Sequence, residues 1–190
     1  RAATLRQRQF GEELRRGAFQ VKIMASGGVA SPTDPIWNLQ YSQDEMRAIV
    51  EEAHGWRTYA LAHAYTPEAI ARAVRAGVRS IEHGNLIDAE TAALMAREGA
   101  FLVPTLVTYF KIEELGRALG FPAVSQRKVK DVLDAGLASL EIAKAAGVAI
   151  GFGTDLLGET HGAQSEEFAL RAAVQAPIEI LRSATTINAE

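Results

Sequence analysis

The chain has 190 residues, a formal net charge of −3, 48% hydrophobic and 23% charged residues, and no cysteine. That length and balance suit one ordinary globular domain with a real core. They exclude a disulfide framework and a thiolate metal site, offer no electrostatic argument for nucleic acid or an anionic membrane as partner, and leave no apolar run long enough to span a bilayer.

Residues 3–16 read as an amphipathic helix rich in Arg and Glu, stopped by Gly17. Phe19–Met24 reads as a short strand, and residues 26–41 carry the Gly, Pro, Ser, Asp and Asn density of a long loop. Ser42 with Glu45 three residues on forms a capping-box pattern, predicting a helix to about His54. Tyr59–His63 is the next strand, and Thr66-Pro67-Glu68 opens a helix that ends near Gly77. Val78–His83 is a strand, Asp88 caps the following helix, and Gly99 ends it. Ala100–Pro104 is a fourth strand. An irregular or helical connection follows, then a helix over about 125–145 stopped by Gly147. Val148–Gly153 is the fifth strand, and residues 164–188 look helical with a break at Pro177.

Strands alternating with helices predict an α/β fold with a parallel sheet. Polar residues at the strand C-termini favour a (β/α)8 TIM barrel, whose sites lie on that face. A doubly wound sheet is the runner-up, without the Gly-x-Gly-x-x-Gly of a dinucleotide-binding version. Five strands cannot close an eight-stranded barrel. The chain is therefore expected to be a partial barrel domain over residues 1–190, strands four to eight, with the N-terminal strands and a small β domain outside it. A targeting segment would also fall outside, because the sequence opens at Arg1 within a helical pattern. The compartment stays open, with the cytoplasm favoured.

Lys22 interrupts the apolar run Phe19-Gln-Val-Lys-Ile-Met24 and is expected to be buried. Burial favours the neutral amine, which can add carbon dioxide and become a carbamate, an anionic oxygen donor able to bridge two divalent cations. The alternatives are a lysine snorkelling to solvent or one paired with a carboxylate. His63 and His83 end consecutive strands, and neutral imidazole is the commonest protein metal ligand. Each alone could simply be hydrogen-bonded; one βα unit apart, they would project over the same barrel mouth. Asp155 follows Gly-Phe-Gly-Thr at the end of the last strand, where it could ligate a metal and accept a proton from water, or cap a helix. Tyr65 could donate its hydroxyl to a substrate carbonyl or merely pack. His161 could reach the site from its loop or stay at the surface. His54, Glu82, Trp37 and Trp56 read as structural, and Ser26 lacks a base partner.

The segments VKIMASGGVASPTDP, LAHAYTPEAI, SIEHGNLID and GFGTD, taken together, resemble the amidohydrolase superfamily. The closest likeness is to its Xaa-Pro dipeptidase-like (prolidase-like) and imidazolonepropionase-related branch, which includes ochratoxin-hydrolysing amidases. The resemblance covers about residues 15–188. It implies that Lys22 is a carboxylated lysine bridging two zinc ions, and that His63 and His83 ligate the second metal. It implies that Asp155 ligates the first metal and shuttles a proton, and that Tyr65 contacts the substrate carbonyl. One departure matters: the superfamily's strand-one His-x-His pair occurs nowhere in the chain, and it is expected upstream.

The expected activity is zinc-dependent hydrolysis of an amide or peptide bond in a small substrate, a dipeptide such as Xaa-Pro or an N-acyl amino acid. The loops 26–41 and 105–124 would shape the pocket. Homo-oligomers are expected from the relatives. One rival is a mononuclear deaminase or imidazolone-type hydrolase, against which Lys22 argues. The other is a non-catalytic scaffold, supported only by the missing His-x-His.

Overall fold

A computed structural model describes residues 2–190. Five strands, β1 (Val21–Met24), β2 (Ala60–Ala64), β3 (Ser80–His83), β4 (Phe101–Val103) and β5 (Ala149–Ile150), form one parallel sheet in strictly sequential order. Every neighbouring pair is parallel, so each connection must cross over, and helices supply most of the crossovers. The register sets Ile23 beside Ala62, Ala62 beside Ile81, Ile81 beside Leu102 and Leu102 beside Ile150. This row is buried against helices, and the main apolar cluster is built on it. Sequential order with the helices packed on one face is the singly wound arrangement of a (β/α)8 barrel, not the doubly wound alternative.

Local chemistry starts and stops the helices. In α2 (Gln43–Gly55), Ser42 Oγ accepts from the Glu45 N–H at 3.2 Å and Glu45 Oε2 accepts from the Ser42 N–H at 3.0 Å, the reciprocal capping box. Thr66 caps α3 (Pro67–Arg75), with proline at the first helical position. Asp88 caps α4 (Ala89–Glu98), and Gly99 ends it at φ 67°, a left-handed turn that favours glycine. The N-terminal α1 (Ala2–Arg15) packs on α2.

Three expected elements differ. Phe19 lies outside β1 and is 88% exposed. The fifth strand is two residues long, because its continuation carries Gly151 and Gly153, which lack side chains to pack. The expected helix over 125–145 is two helices, α6 (Ala123–Leu133) and α7 (Gly136–Ala146). They serve different cores: Val129 and Val132 of α6 join a second apolar cluster with Val29, Ile36, Tyr65, Tyr109 and Ile112, whereas Leu140 and Ala143 of α7 join the main one. The Asn85 amide also donates to the Val132 carbonyl at 3.1 Å, beside the break. The connection after β4 opens with α5 (Leu106–Leu115), and the C-terminal stretch holds α8 (Glu166–Arg171) and α9 (Pro177–Arg182). No described helix is long and apolar enough to cross a membrane.

Candidate functional site

Lys22, His63, Tyr65, His83 and Asp155 line a single cavity of about 200 Å³. Its walls come from the loop after β1 (Gly28, Val29, Ala30, Ser31), from α5 (Thr108, Tyr109, Ile112) and from Leu157. Both segments expected to shape the pocket do line it. A larger cleft of about 510 Å³ lies at the N-terminal strand ends, lined by His54, Arg57, Tyr59 and Arg79 among others. It does not include the five residues singled out, and sites in this architecture lie at the other end.

The expected burial of Lys22 is not what the structure has. In β1, Val21 and Ile23 are buried whereas Lys22 and Met24 are exposed. Strand alternation turns Lys22 to the face opposite the helices, and five strands leave that face open. The ammonium still lies within electrostatic reach of both histidines, Glu82 and Asp155.

His63 is buried, and its Nε2 lies 3.0 Å from the Gly27 carbonyl oxygen. A carbonyl only accepts, so Nε2 carries the proton and Nδ1 keeps its lone pair. Burial lowers the imidazole to a pKa of about 4, the Gly27 bond acting against the shift and the Lys22 charge with it. The ring is therefore neutral at pH 7. His83 is buried too, and its Nδ1 lies 2.6 Å from Thr105 Oγ1, leaving Nε2 free. Burial first, then the nearness of His63 and Lys22, holds it well below the ordinary histidine range. The two rings meet edge to face with centroids 4.6 Å apart. Two neutral imidazoles, each held through one nitrogen, are the donor chemistry a divalent cation requires. Among the described residues, however, no group of three or more His, Asp or Glu side chains converges to hold a metal.

His83 belongs by register to the row of Ala64, away from Lys22. Its φ of 78° takes the backbone out of the extended region, and Asp155 has a φ of 47°. Left-handed backbone is costly for residues with a Cβ and gathers where surrounding structure imposes it, often at functional positions. Asp155 is exposed at the rim, and desolvation raises its carboxyl against the opposing pull of Lys22.

Tyr65 is 2% exposed, and its ring stacks at 5.3 Å from that of His83. Its hydroxyl accepts from the Tyr109 hydroxyl at 2.9 Å, and burial raises both phenols. Thr105, the partner of His83 Nδ1, also lies close enough to Tyr109 to oppose the rise of its phenol. Sequence reasoning passed over Tyr109 and Thr105. They sit in the connection after β4, where no spacing distinguishes a site residue from a packing one.

Gly27 is required by close approach: a Cβ there would lie 2.0 Å from the Pro35 carbonyl oxygen. Its backbone can thus fold against Pro35 while its carbonyl reaches His63. The remaining candidates stay outside the cavity lining. His161 is exposed, and Glu82, beside Lys22 on the open face, hydrogen-bonds Ser80. Ser26 Oγ donates to the Gly27 carbonyl at 3.2 Å and has no base.

The profile of the Amidohydrolase family matches residues 6–190. Ochratoxinase of Aspergillus niger is 34% identical over 173 residues, 91% of this chain and 36% of that protein. A crystal structure of a prolidase complexed with N-methylphosphonate-L-proline is 59% identical, with a TM-score of 0.95 over 96% of this chain and 45% of that one. A Xaa-Pro dipeptidase with methionine bound in its active site is 30% identical, with a TM-score of 0.82 over 95% of this chain and 46% of that one. The chain thus spans less than half the length of each of these relatives.

Proposed function

Since the chain belongs to the amidohydrolase family, in its prolidase- and ochratoxinase-like branch, we propose that it supplies the strand-four-to-eight half of a metal-dependent hydrolase that cleaves an amide bond in a small molecule. The observation that carries this reading is that Lys22, His63, His83 and Asp155 all line one cavity at the strand C-termini, with one ring nitrogen of each histidine uncommitted.

His63 through Nδ1, His83 through Nε2, Asp155 and a carboxylated Lys22 would hold two divalent cations, with zinc the expected metal. When bound, such cations polarise a carbonyl and make water acidic near neutral pH. The remaining chemistry belongs to the chain's own groups. The Asp155 carboxylate takes the proton of the attacking water and returns it to the departing amine nitrogen. The Tyr65 hydroxyl, which accepts from Tyr109, keeps its own proton to donate to the substrate carbonyl oxygen. Val29, Ala30, Ile112 and Leu157 give the cavity an apolar wall that excludes water from the reacting bond.

The identity with a prolidase that binds an L-proline phosphonate supports dipeptides with proline on the departing side as the first substrates to test, ahead of N-acyl amino acids. The N-terminal barrel strands, including a His-x-His pair, complete the site from outside this sequence. The test is metal content and turnover of Xaa-Pro dipeptides by the full-length protein. Two equivalents of metal and hydrolysis lost on chelation are expected. One equivalent with an unmodified Lys22 would favour the mononuclear rival, and a protein that takes up no metal would favour the scaffold.

A further inference from the structure

Lys128 is a buried lysine that the proposed chemistry does not use. It projects from α6 into the loop after β1, where its Nζ donates to the carbonyls of Gly28 at 3.1 Å, Ser31 at 2.7 Å and Asp34 at 2.5 Å. An ammonium has three N–H donors, and here each meets one carbonyl. Among the described residues, none of those carbonyls accepts a backbone N–H. The loop's two ends are joined to each other, Gly27 N–H to the Asn38 carbonyl and Gln40 N–H to the Ala25 carbonyl, both at 3.0 Å. Its tip, residues 28–35, is instead held from α6, by Lys128 and by Ser125 Oγ donating to the Ala30 carbonyl at 3.3 Å. That tip forms a wall of the candidate cavity, and the residue before it supplies the carbonyl that binds His63 Nε2.

We propose that Lys128 is a positioning residue whose ammonium gathers three loop carbonyls, as a bound cation would, and so sets the cavity wall and the hydrogen bond that orients His63. The excursion between β4 and β5 thereby controls the site from a helix that contributes no side chain to the cavity lining. The loop geometry stands by itself; only the activity readout rests on the hydrolase reading.

The test uses the full-length protein with Lys128→Met, which keeps the length of the stem and removes every donor, beside the exposed control Lys130→Met. Amide hydrogen exchange at Gly27, Asn38 and Gln40, the loop amides that are hydrogen-bonded, is expected to quicken at least tenfold in Lys128→Met, with β2 and β3 amides unchanged. KM for an Xaa-Pro dipeptide is expected to rise at least tenfold, with a smaller fall in kcat, and Lys130→Met should match wild type in both readouts. A folded Lys128→Met with wild-type loop exchange overturns the proposal. Should that variant fail to fold, Lys128→Arg decides: a planar guanidinium cannot serve three converging carbonyls as an ammonium does, so at least threefold faster loop exchange is expected, and wild-type exchange overturns the proposal. If no amide is hydrolysed even by the wild type, the hydrolase reading fails while the exchange data still decide the role of Lys128.

Discussion

On the helix-covered face of the sheet, Ile23, Ala62, Ile81, Leu102 and Ile150 form an apolar row no more than 6% exposed, whereas the opposite face sets Lys22 beside Leu61, and His63 beside Glu82. The first face obeys packing: every side chain is small or aliphatic and meets a helix. The second carries titratable groups whose ionisation each alters the others, with burial pushing Glu82 and Asp155 up while Lys22 pulls both down. The contrast teaches that one strand can serve two purposes by alternation alone, with β1 giving Ile23 to stability and Lys22 to the cavity.

The comparison predicts that substitutions on the two faces separate function from stability. Lys22→Ala should abolish metal uptake and lower kcat/KM by about 10³-fold, the equivalent of the several kcal/mol a metal centre supplies, with partial rescue by a short-chain carboxylate. Measured metal-free, its unfolding free energy should change by no more than about 0.5 kcal/mol, because an exposed side chain leaves no cavity. Asp155→Asn should lower kcat by about 10²–10⁴-fold, the usual worth of a proton-transfer group, again with the fold intact.

Ile81→Ala should do the reverse. Equilibrium unfolding is expected to show a loss of about 2–5 kcal/mol, while any protein that remains folded turns over substrate normally.

A pH series tests a buried pair behind the site. Glu167 and Arg171 are both fully buried; Glu167 Oε2 accepts from the Val107 N–H at 2.8 Å, and Arg171 Nη1 donates to the Gly151 carbonyl at 2.9 Å. Burial raises the Glu167 carboxyl to about 7 and lowers the Arg171 guanidinium to about 10. A carboxyl raised on folding binds its proton more tightly in the native state. Its contribution to stability is therefore complete below the ordinary glutamate range and lost as pH rises through about 7. Urea midpoints should fall with pH across that window in wild type and stay flatter in Glu167→Gln, which keeps an oxygen for Val107. The smallest effect belongs to neither face: Ser42→Ala, which removes the cap of α2, should cost about 1 kcal/mol without altering turnover.

Much of this architecture was legible where local chemistry decides it. The caps at Ser42, Thr66 and Asp88 and the stop at Gly99 stand where the sequence puts them, because each depends on a few neighbouring residues. Residues at strand ends were also legible as candidates, and the structure gathers all five on one cavity. What could not be read is whatever the tertiary arrangement imposes. Alternation in Val21–Met24 shows that Lys22 and Ile23 point oppositely, but not which face the helices cover, so Lys22, expected buried, stands on the face these five strands leave open. Helical periodicity runs through 125–145 and does not reveal that its halves join two different cores. Tyr109, Thr105 and Lys128 matter only because distant chain segments meet them, and no motif marks such residues.

The most direct test is anomalous diffraction at the metal absorption edge from crystals of the full-length protein. Two peaks are expected within ligating distance of His63 Nδ1, His83 Nε2 and the Asp155 carboxylate, with carbamate density on Lys22 Nζ between them. A single peak away from these atoms, or a bare Lys22 amine turned from the metals, would contradict the proposed function.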